Sequence, residues 1–518
     1  MVSRFFNGVI YLGHGRYSSE IFVDDAGTIT SQRYFYESEQ KDEIDLNGQM
    51  LLPAFRDAHS HPLFAGREAL GCEVTGLASL SAIGQKINRF RNENPSLTWL
   101  DGASYDRSIV EPKTRQSLDD FVSDIPVVLH ADDHHTLWVN TKALEAAGLM
   151  SGNLPLLDEG SIDLDSDGIP TGILREWQAM QLVMNAAPKL TLEEDIRALL
   201  KAEDMMLASG IVEVQDAWIE RGMAEVYLAA EDQLKLNYKL AIRVDAKSFQ
   251  SDFDYGVSFI ESFQSDRVKI HAIKFFIDGV FGSATAAVID PYESNGGFGD
   301  LNWSMADLVA AINQTHRTNL QTHIHAIGDK AVSFALEAIS LAERGKYEPV
   351  IAHAELTNAE LIAKAKELGV VLCMQPYWAQ YNGMLNSCSV HLGEKRLNSL
   401  YAIKDMLAAG VNVAFSSDWP VSSYRPLDGI TVAMHRRSST NQQPHNPSQA
   451  ISLEQALDAY SNSVCRMFGN SSSGTLDVGQ PFDATLVDRD LGQQDLDGLL
   501  ATEVLAVYVS GAKLFPHH

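Results

Sequence analysis

The chain has 518 residues, of which 45% are hydrophobic and 21% are charged, and its 40 basic and 68 acidic residues give a formal net charge of −28. This composition is typical of a globular protein that buries a large core without disulfides. The acidity excludes a general affinity for nucleic acid or for an anionic membrane, because binding to either begins when Lys and Arg neutralise phosphates.

Strand-like segments separated by turn residues occupy both ends of the chain. FFNGVIYLG (5–13) and SSEIFVDDAGTITSQ (18–32) lie near the N-terminus, and DDAG predicts a hairpin turn within the second. ATLVDRD (484–490) and TEVLAVYVSGAKLF (502–515) have the same character near the C-terminus. Two β-rich ends therefore flank a middle of different character.

That middle alternates apolar runs, each a candidate strand, with helical segments. The runs are 50–61, 126–131, 211–217, 270–279, 320–329, 349–356, 370–378 and 411–420. Helical periodicity lies between them, for example over 192–210, 331–345 and 359–369. Eight strand–helix alternations predict an α/β fold with a (β/α)8 TIM barrel, and an open doubly wound sheet is the alternative.

Polar side chains fall at or near the carboxyl ends of these candidate strands. They are His59 and His61 on the first, Lys274 on the fourth, His323 and His325 on the fifth, His353 on the sixth and Asp418 on the eighth. In a parallel barrel the carboxyl ends of all strands meet at one face, where active sites are built. We therefore expect these side chains to converge.

The histidines and the aspartate predict a metal site. Residues i and i+2 of a strand point to the same side, so His59 and His61 aim two imidazoles at one point. Neutral imidazole is a common ligand of zinc and similar ions. Asp418 can touch the metal and accept a proton from metal-activated water.

Lys274 lies inside an apolar strand, where an unpaired ammonium is costly. Two interpretations stay open. A carboxylate such as Asp278 could neutralise the lysine, or desolvation could lower its pKa so that the neutral amine takes up CO₂ and the carbamate bridges two metals. Glu176 is the competing bridging carboxylate.

Five segments in this order resemble the amidohydrolase superfamily of metal-dependent hydrolases, and within it the branch of YtcJ-like proteins and N-substituted formamide deformylases. They are LLPAFRDAHSHP (51–62), HAIKFFIDG (271–279), HIHAIGD (323–329), IAHAEL (351–356) and AFSSDWPV (414–421). The resemblance implies a (β/α)8 barrel over residues 53–471, with a small β-sandwich built from residues 1–52 and 472–518.

The resemblance also implies residue roles. The implied metal ligands are His59, His61, Lys274 (carboxylated in many members), His325, His353 and Asp418, and the implied catalytic residues are Asp418 and His325. His323 would then be a neighbour outside the ligand set. The chain departs from the family pattern at Ala54, Arg56 and His134, which weakens any inference about the substrate.

The predicted activity is hydrolysis of a carbon–nitrogen bond in a small organic amide, N-formyl compound or cyclic amide, other than a peptide bond. The cofactor is one or two divalent ions, with Zn²⁺ favoured. Residues expected to contact the substrate are His135, Trp138, Glu176, Tyr377, Trp419 and Arg425. The alternatives are a mononuclear deaminase of an aminated ring and a non-catalytic regulatory protein that keeps the barrel.

The remaining expectations concern compartment and partners. Cys72, Cys373, Cys388 and Cys465 show no CxxC spacing, which is typical of reduced, buried thiols. No signal-peptide pattern and no run of roughly 18–20 apolar residues is visible. We expect a cytoplasmic protein whose partner is a small molecule, and homodimer formation stays open.

Overall fold

The computed structural model of the protein describes residues 1–107, 109, 112–131, 135–157, 160–470 and 473–516. Its strands, in chain order, are β1 (Val2–Gly13), β2 (Arg16–Val23), β3 (Ile29–Thr30), β4 (Lys41–Asp45), β5 (Met50–Pro53), β6 (Phe55–Ser60), β7 (Cys72–Glu73), β8 (Leu100–Tyr105), β9 (Val127–Ala131), β10 (Thr136–Val139), β11 (Ser161–Leu164), β12 (Pro170–Arg175), β13 (Ile211–Ile219), β14 (Asn237–Val244), β15 (Val268–Phe276), β16 (Gln321–Ala326), β17 (Val350–His353), β18 (Val371–Met374), β19 (Val413–Phe415), β20 (Ala484–Val487), β21 (Val504–Val509) and β22 (Ala512–Phe515).

Helices alternate with many of these strands. They are α1 (Gln32–Glu37), α2 (Pro62–Leu70), α3 (Leu80–Glu93), α4 (Arg115–Asp119), α5 (Thr141–Ala146), α6 (Glu176–Met184), α7 (Leu192–Ala208), α8 (Met223–Ala230), α9 (Phe249–Val257), α10 (Met305–Arg317), α11 (Asp329–Leu341), α12 (Ala359–Leu368), α13 (Gly383–Leu397), α14 (Ile403–Ala408), α15 (Pro426–His435), α16 (Leu453–Ala459), α17 (Asn462–Met467) and α18 (Leu496–Leu500). The described parts of the chain contain no helix with the length and apolarity needed to cross a membrane.

Eight parallel strands form a barrel in the order β6, β13, β14, β15, β16, β17, β18 and β19. Most of their residues are buried, as expected for parallel strands covered by helices. Just beyond the first and last strands, the Asp418 amide donates to His59 O (2.8 Å) and the His61 amide donates to Trp419 O (2.8 Å). These bonds bring the barrel close to closure, and the predicted fold class is confirmed.

One predicted barrel strand is wrong. Residues 127–131 form β9, which pairs with β8 and β10 in a separate sheet. The second and third barrel strands are β13 and β14, and β14 is not among the predicted strands. Its segment NYKLAIRV carries Lys239 and Arg243 and therefore lacks the continuous apolar run typical of a buried parallel strand. The barrel lacks one predicted strand and contains one strand that was not predicted, and both come before β15. Lys274 therefore lies on the fourth barrel strand, as predicted.

Strands from both chain ends form a second sheet, in the order β22, β21, β20, β5, β1, β2 and β3, with β4 paired to β1. Its core includes Phe5, Ile10, Leu51 and Phe482. Arg56 of the barrel donates to Asp483 at the edge of this sheet. The predicted domain boundaries at 52/53 and 471/472 stay a prediction, and residues 471 and 472 lie outside the described residues.

The chain divides into two units, one formed by Met1–Pro62 with Glu203–His518 and one formed by Leu63–Ala202. The first unit holds the barrel and the sheet of terminal strands. The second unit, the inserted unit, has a six-stranded sheet in the order β11, β12, β10, β9, β8 and β7. Apolar clusters around Leu129 and Leu137 form its core.

Candidate metal centre

Five of the six predicted ligands come together at the carboxyl ends of the barrel strands. Ligand atoms of His59, His353 and Asp418, all buried, lie within 4.8 Å of one another. His61 joins this group because its Nε2 lies 2.9 Å from Asp418 Oδ1. Lys274 joins it because its Nζ lies 3.3 Å from His59 Nε2. The strand register therefore gathers residues separated by more than 350 positions, as the alternation of strands and helices predicted.

Hydrogen bonds hold two of the histidines in a defined orientation. His59 Nδ1 lies 2.9 Å from His323 Nε2, and His353 Nδ1 lies 2.9 Å from the side-chain oxygen of Gln375. A carbonyl oxygen can only accept a hydrogen bond, so Nδ1 of His353 carries the proton. Its Nε2 is therefore unprotonated and has a lone pair available for a metal. The indole of Trp378 stacks on the His353 ring with centroids 5.5 Å apart, which fixes the plane of that ring.

Both imidazoles are uncharged. Burial lowers the pKa of His59 and of His353 well below the usual value, and the neighbouring Lys274 charge lowers the pKa of His59 further. A cationic imidazole cannot bind a metal, so the low pKa values keep these two side chains competent as ligands at neutral pH.

Asp418 carries the negative charge of the group. Burial by itself would raise the pKa of Asp418, but the hydrogen bond and the charge of His61 outweigh it and lower this pKa. The pKa of His61 is raised for the matching reason: burial lowers it, but the carboxylates of Asp216 and Asp418 raise it by more. Asp418 is therefore ionised, with His61 as its nearest hydrogen-bond partner.

A buried carboxyl group fastens the two ends of the barrel beneath this centre. Asp57 accepts from the His59 amide at 3.2 Å and from the Ser417 amide at 3.1 Å, and the Ser417 hydroxyl donates to it at 2.5 Å. Burial raises the pKa of Asp57 to about 7. Asp57 is not among the predicted site residues, although it stands two residues before His59 and shares the alternation of that strand.

Two of the ligands have unusual backbone conformations. His353 has φ of 76° and Asp418 has φ of 54°, in the left-handed region that non-glycine residues avoid. Such a conformation costs on the order of 1–3 kcal/mol and persists only where the surrounding structure imposes it. Both residues depart from the extended strand conformation. Their side chains contribute ligand atoms to the same cluster, which also includes His59.

Lys274 is fully buried, and burial lowers its pKa to about 7, although the charge of Asp418 opposes this shift. Asp278 does not neutralise it, because that carboxylate accepts from the amides of Ala287, Ile327 and Gly328 at 2.9–3.0 Å. Among the residues that the structure describes, no carboxylate lies within 4.0 Å of Lys274 Nζ. Part of the lysine population is therefore a neutral amine at neutral pH.

His325 lies beside the group rather than within it. Its ring centroid is 4.5 Å from that of His353. Its Nε2 points to Gly279 O at 3.3 Å and to Asp278 Oδ1 at 3.7 Å. His323 lies on the far side of His59 from Asp418, consistent with its predicted place outside the ligand set.

The donor set suits a divalent first-row ion. Two neutral imidazole nitrogens and one ionised carboxylate oxygen face one another in a buried position, and nitrogen with oxygen donors is a combination that zinc commonly takes. His59, His353 and Asp418 would hold such an ion.

Three of the predicted substrate contacts belong to the inserted unit. His135 Nδ1 lies 2.8 Å from Glu176 Oε2, so these two side chains form a pair. Trp138 is fully buried in the core of the unit, and its indole N–H donates to Thr114 O at 2.8 Å. The Trp138 side chain is therefore occupied by packing. His134, the family departure named above, lies outside the described residues.

The other three predicted contacts belong to the barrel unit. Trp419 directly follows Asp418 and packs on Tyr424 with ring centroids 4.8 Å apart. Tyr377 lies in the short 3-10 turn Pro376–Trp378 after β18. Arg425 Nη2 is directed at Leu500 O and Thr502 O, both at 3.4 Å, and the residue lines a cavity of about 290 Å³ that none of the six ligands lines.

The family model of the amidohydrolase family matches residues 42–515. The chain belongs to the amidohydrolase family. The YtcJ protein of Bacillus subtilis is 27% identical over 97% of each chain, and an N-substituted formamide deformylase of Arthrobacter pascens is 26% identical over 90% of this chain and 89% of its own. The predicted family and branch are thereby confirmed, and with them the prediction of a metal-dependent hydrolase.

Solved structures share the fold. A metal-dependent hydrolase from Pyrococcus horikoshii superposes with a TM-score of 0.77 at 23% identity, covering 96% of this chain and 99% of that chain. At this level of identity the likeness shows the fold alone and says nothing of the substrate.

Proposed function

We propose that this member of the amidohydrolase family hydrolyses a carbon–nitrogen bond, other than a peptide bond, in a small organic amide, N-formyl compound or cyclic amide. The observation that carries the proposal is the convergence of His59, His353 and Asp418 on one buried point at the carboxyl face of the barrel. The relative from Arthrobacter pascens, which is named for the deformylation of N-substituted formamides, supports the choice of bond.

A divalent ion bound there, for which Zn²⁺ is our choice, would lower the pKa of a water molecule to about 7 and polarise a carbonyl group. Asp418 accepts the proton of the attacking water, because its ionised carboxylate lies at the centre of the ligand set. Asp418 then delivers this proton to the leaving nitrogen, which departs as a neutral amine. His61, whose Nε2 lies 2.9 Å from Asp418 Oδ1, stabilises the ionised form of Asp418 before the first transfer and after the second.

His325 has the second catalytic role in the proposal. It lies next to His353 at the rim of the ligand group, where its ring can contact the ion or the substrate carbonyl oxygen. Asp278 and the Gly279 carbonyl hold its Nε2 edge, and Asp278 is itself held by three backbone amides. This chain of contacts limits rotation of the ring.

Lys274 is proposed to be carboxylated and to bridge two ions. Carbamate formation needs a neutral amine without a carboxylate partner, and Lys274 meets both conditions within the described residues. Glu176 is the weaker choice for a bridge, because its carboxylate is already paired with His135. A binuclear centre also separates this proposal from the mononuclear deaminase, which would hold one ion per chain and release ammonia.

The test is a screen of N-substituted formamides, N-acylated amino acids, cyclic amides and aminated rings with the zinc-loaded protein, scored by the appearance of a new amino group or of ammonia. Asp418→Asn serves as the inactive control. Hydrolysis of one class by the parent protein and its loss in Asp418→Asn supports the proposal. Ammonia release from aminated rings alone, or equal turnover by Asp418→Asn, contradicts it.

A further inference from the structure

Arg243, which is not among the predicted site residues, places a positively charged side chain at the mouth of the barrel. Arg243 is the penultimate residue of β14, and its Cα is in register with that of Lys274 on the neighbouring strand β15. Side chains in register on neighbouring parallel strands point to the same face of the sheet, so Arg243 points into the barrel as Lys274 does. The arginine stands at the same depth of the barrel as Lys274.

Two aromatic rings bracket the guanidinium group of Arg243. Its Cζ lies 4.6 Å from the Trp218 ring centroid and 5.8 Å from that of Phe276. The two rings lie edge to face, 5.0 Å apart. Stacking on aromatic faces holds an arginine in place while leaving the edge of its fork available for hydrogen bonds.

The same rings touch the metal centre. The Trp218 centroid is 6.1 Å from that of His61, and the Phe276 centroid is 4.9 Å from that of His325 and 4.9 Å from Lys274 Nζ. A substrate whose carbonyl group reaches the ligand histidines therefore has the aromatic pair and then the arginine as its next neighbours.

The donors of Arg243 are incompletely used by the protein. Its Nε is buried and, within the described part of the chain, has no hydrogen-bond partner. Arg243 forms an ion pair with Asp245, two residues along the chain, in which Nη2 lies 3.0 Å from Asp245 Oδ1. The Asp245 side chain is 48% exposed. An exposed pair contributes little, whereas a buried guanidinium donor left without an acceptor is costly. Within the described residues, the only side-chain hydrogen bond of Arg243 runs from Nη2 to Asp245, so the guanidinium fork has capacity for an acceptor that a ligand supplies.

We propose that Arg243 binds a carboxylate group of the substrate, so that the enzyme acts on an anionic amide whose apolar part packs on Trp218 and Phe276. The planar fork of a guanidinium matches the two oxygens of a carboxylate. The proposal rests on the proposed function and narrows it to amides of carboxylate-bearing compounds, such as N-acylated or N-formylated amino acids with an apolar side chain. It also explains how a chain of net charge −28 attracts an anion: the attraction is local to the barrel mouth.

Binding without hydrolysis tests this inference separately from the reaction. Calorimetric titration of the zinc-loaded protein compares 3-phenylpropionate with 4-phenylbutan-2-one, a neutral ketone that replaces the carboxylate with an acetyl group and has no bond to hydrolyse. The variants are Arg243→Gln and Arg243→Met, the second of which keeps an apolar stem between the rings. Arg317→Gln, at an exposed arginine paired with Glu343, is the matched control. Metal content and the unfolding midpoint verify that each variant is folded.

We expect the parent protein and Arg317→Gln to bind the carboxylate about 10-fold or more tightly than the neutral ketone, since a hydrogen bond to a charged group contributes on that order. The ratio should fall to near one in a folded Arg243 variant. Equal affinities in the parent protein overturn the inference, and so does a ratio that the Arg243 variants leave unchanged, because the metal centre alone would then hold the carboxylate. Failure of the hydrolysis screen with a positive binding result would count against the reaction and not against this site.

Discussion

Burial acts on each residue of the metal centre according to its charge type. Burial keeps His59 and His353 neutral and lowers the pKa of Lys274 to about 7. The hydrogen bond and charge of His61 keep Asp418 ionised. Two neutral imidazoles, one ionised carboxylate and a lysine that is partly a neutral amine thus coexist within a few ångströms at neutral pH. Such divergent pKa values in one cluster are typical of a catalytic site.

The role of Asp418 gives the first prediction. Asp418→Asn keeps the shape of the side chain but removes its ability to take a proton, so we expect kcat to fall by about 10²–10⁴-fold. Steady-state kinetics on the substrate class found by the screen measures this. Asp428→Asn, whose carboxylate accepts from Ser423 outside the ligand group, is the control and should keep near-parental turnover. Equal kcat values for the two variants would exclude Asp418 as the proton carrier.

The second prediction concerns the pH dependence of Lys274. Its pKa is lowered to about 7 in the folded protein, so the amine is charged below this pH and neutral above it. The neutral fraction is ~10% at pH 6 and ~90% at pH 8. We therefore expect dissolved CO₂, held at the same concentration at both pH values, to accelerate the recovery of metal-free protein by Zn²⁺ strongly at pH 8 and weakly at pH 6. A recovery rate that is insensitive to CO₂ at both pH values would rule out the carbamate.

Substitution provides an independent check on Lys274. Lys274→Ala should lose bound metal and activity, and short carboxylic acids should restore part of both by replacing the carbamate. Lys269→Ala is the matched control, because Lys269 lies on the same strand but is exposed and paired with Asp266. A Lys274→Ala variant with full metal content and turnover would contradict the bridging role.

At the scale of elements, the centre depends on how the first and last barrel strands are fastened. Asp57 of β6 accepts from the amide and the hydroxyl of Ser417, in the segment after β19. The positions of His59 and Asp418, one on each side of this contact, are therefore coupled. Metal affinity should respond to a side chain that touches no metal.

The third prediction follows. Asp57→Asn replaces one acceptor oxygen with an N–H donor, so the Ser417 hydroxyl can no longer donate to that atom, and Zn²⁺ affinity should fall about 10–100-fold. Competition with a chromophoric chelator measures the affinity. Ser417→Ala removes the other half of the contact, and the losses in the double variant should not add, because both changes break one interaction. Unchanged affinity in Asp57→Asn would show that the contact does not position the ligands.

The elements also show what could be predicted from sequence. His59, His61, Lys274, His353 and Asp418 follow apolar runs, so period and strand ends were enough to place them on one face. β14 was missed because Lys239 and Arg243 face the barrel interior and interrupt its apolar run. Arg243 was not predicted as a site residue because its strand was not predicted. Its contacts also depend on the register of β14 with β15, which sequence periodicity does not specify.

At the scale of the whole molecule, a buried ion-pair cluster connects the barrel to the sheet of terminal strands. Arg56, where the family pattern has an apolar residue, is 3% exposed and pairs with Glu213 of β13 and with Asp483 before β20. The two carboxylates have further partners in Lys239 and the Ser510 amide. Arg56 therefore contributes to holding the N- and C-terminal segments on the barrel.

The fourth prediction tests this contact. Arg56→Met should lower the free energy of unfolding by about 3–5 kcal/mol, because it leaves buried carboxylates without their common partner. Urea denaturation measures the loss, with Arg317→Met at the surface as the control that should change stability little. Metal content should stay at the parental level, since Arg56 contacts none of the six ligands. A parental unfolding midpoint would show that the cluster does not stabilise the fold.

Metal dependence is the claim on which the whole account rests, and one measurement tests it most directly. Protein purified without chelator is assayed for transition metals by mass spectrometry and, in the same sample, for hydrolysis of the substrate class found by the screen. We predict one or two equivalents of metal per chain, loss of hydrolysis when a chelator removes them, and recovery on addition of Zn²⁺. Hydrolysis that persists with less than about a tenth of an equivalent of any transition metal would contradict the account.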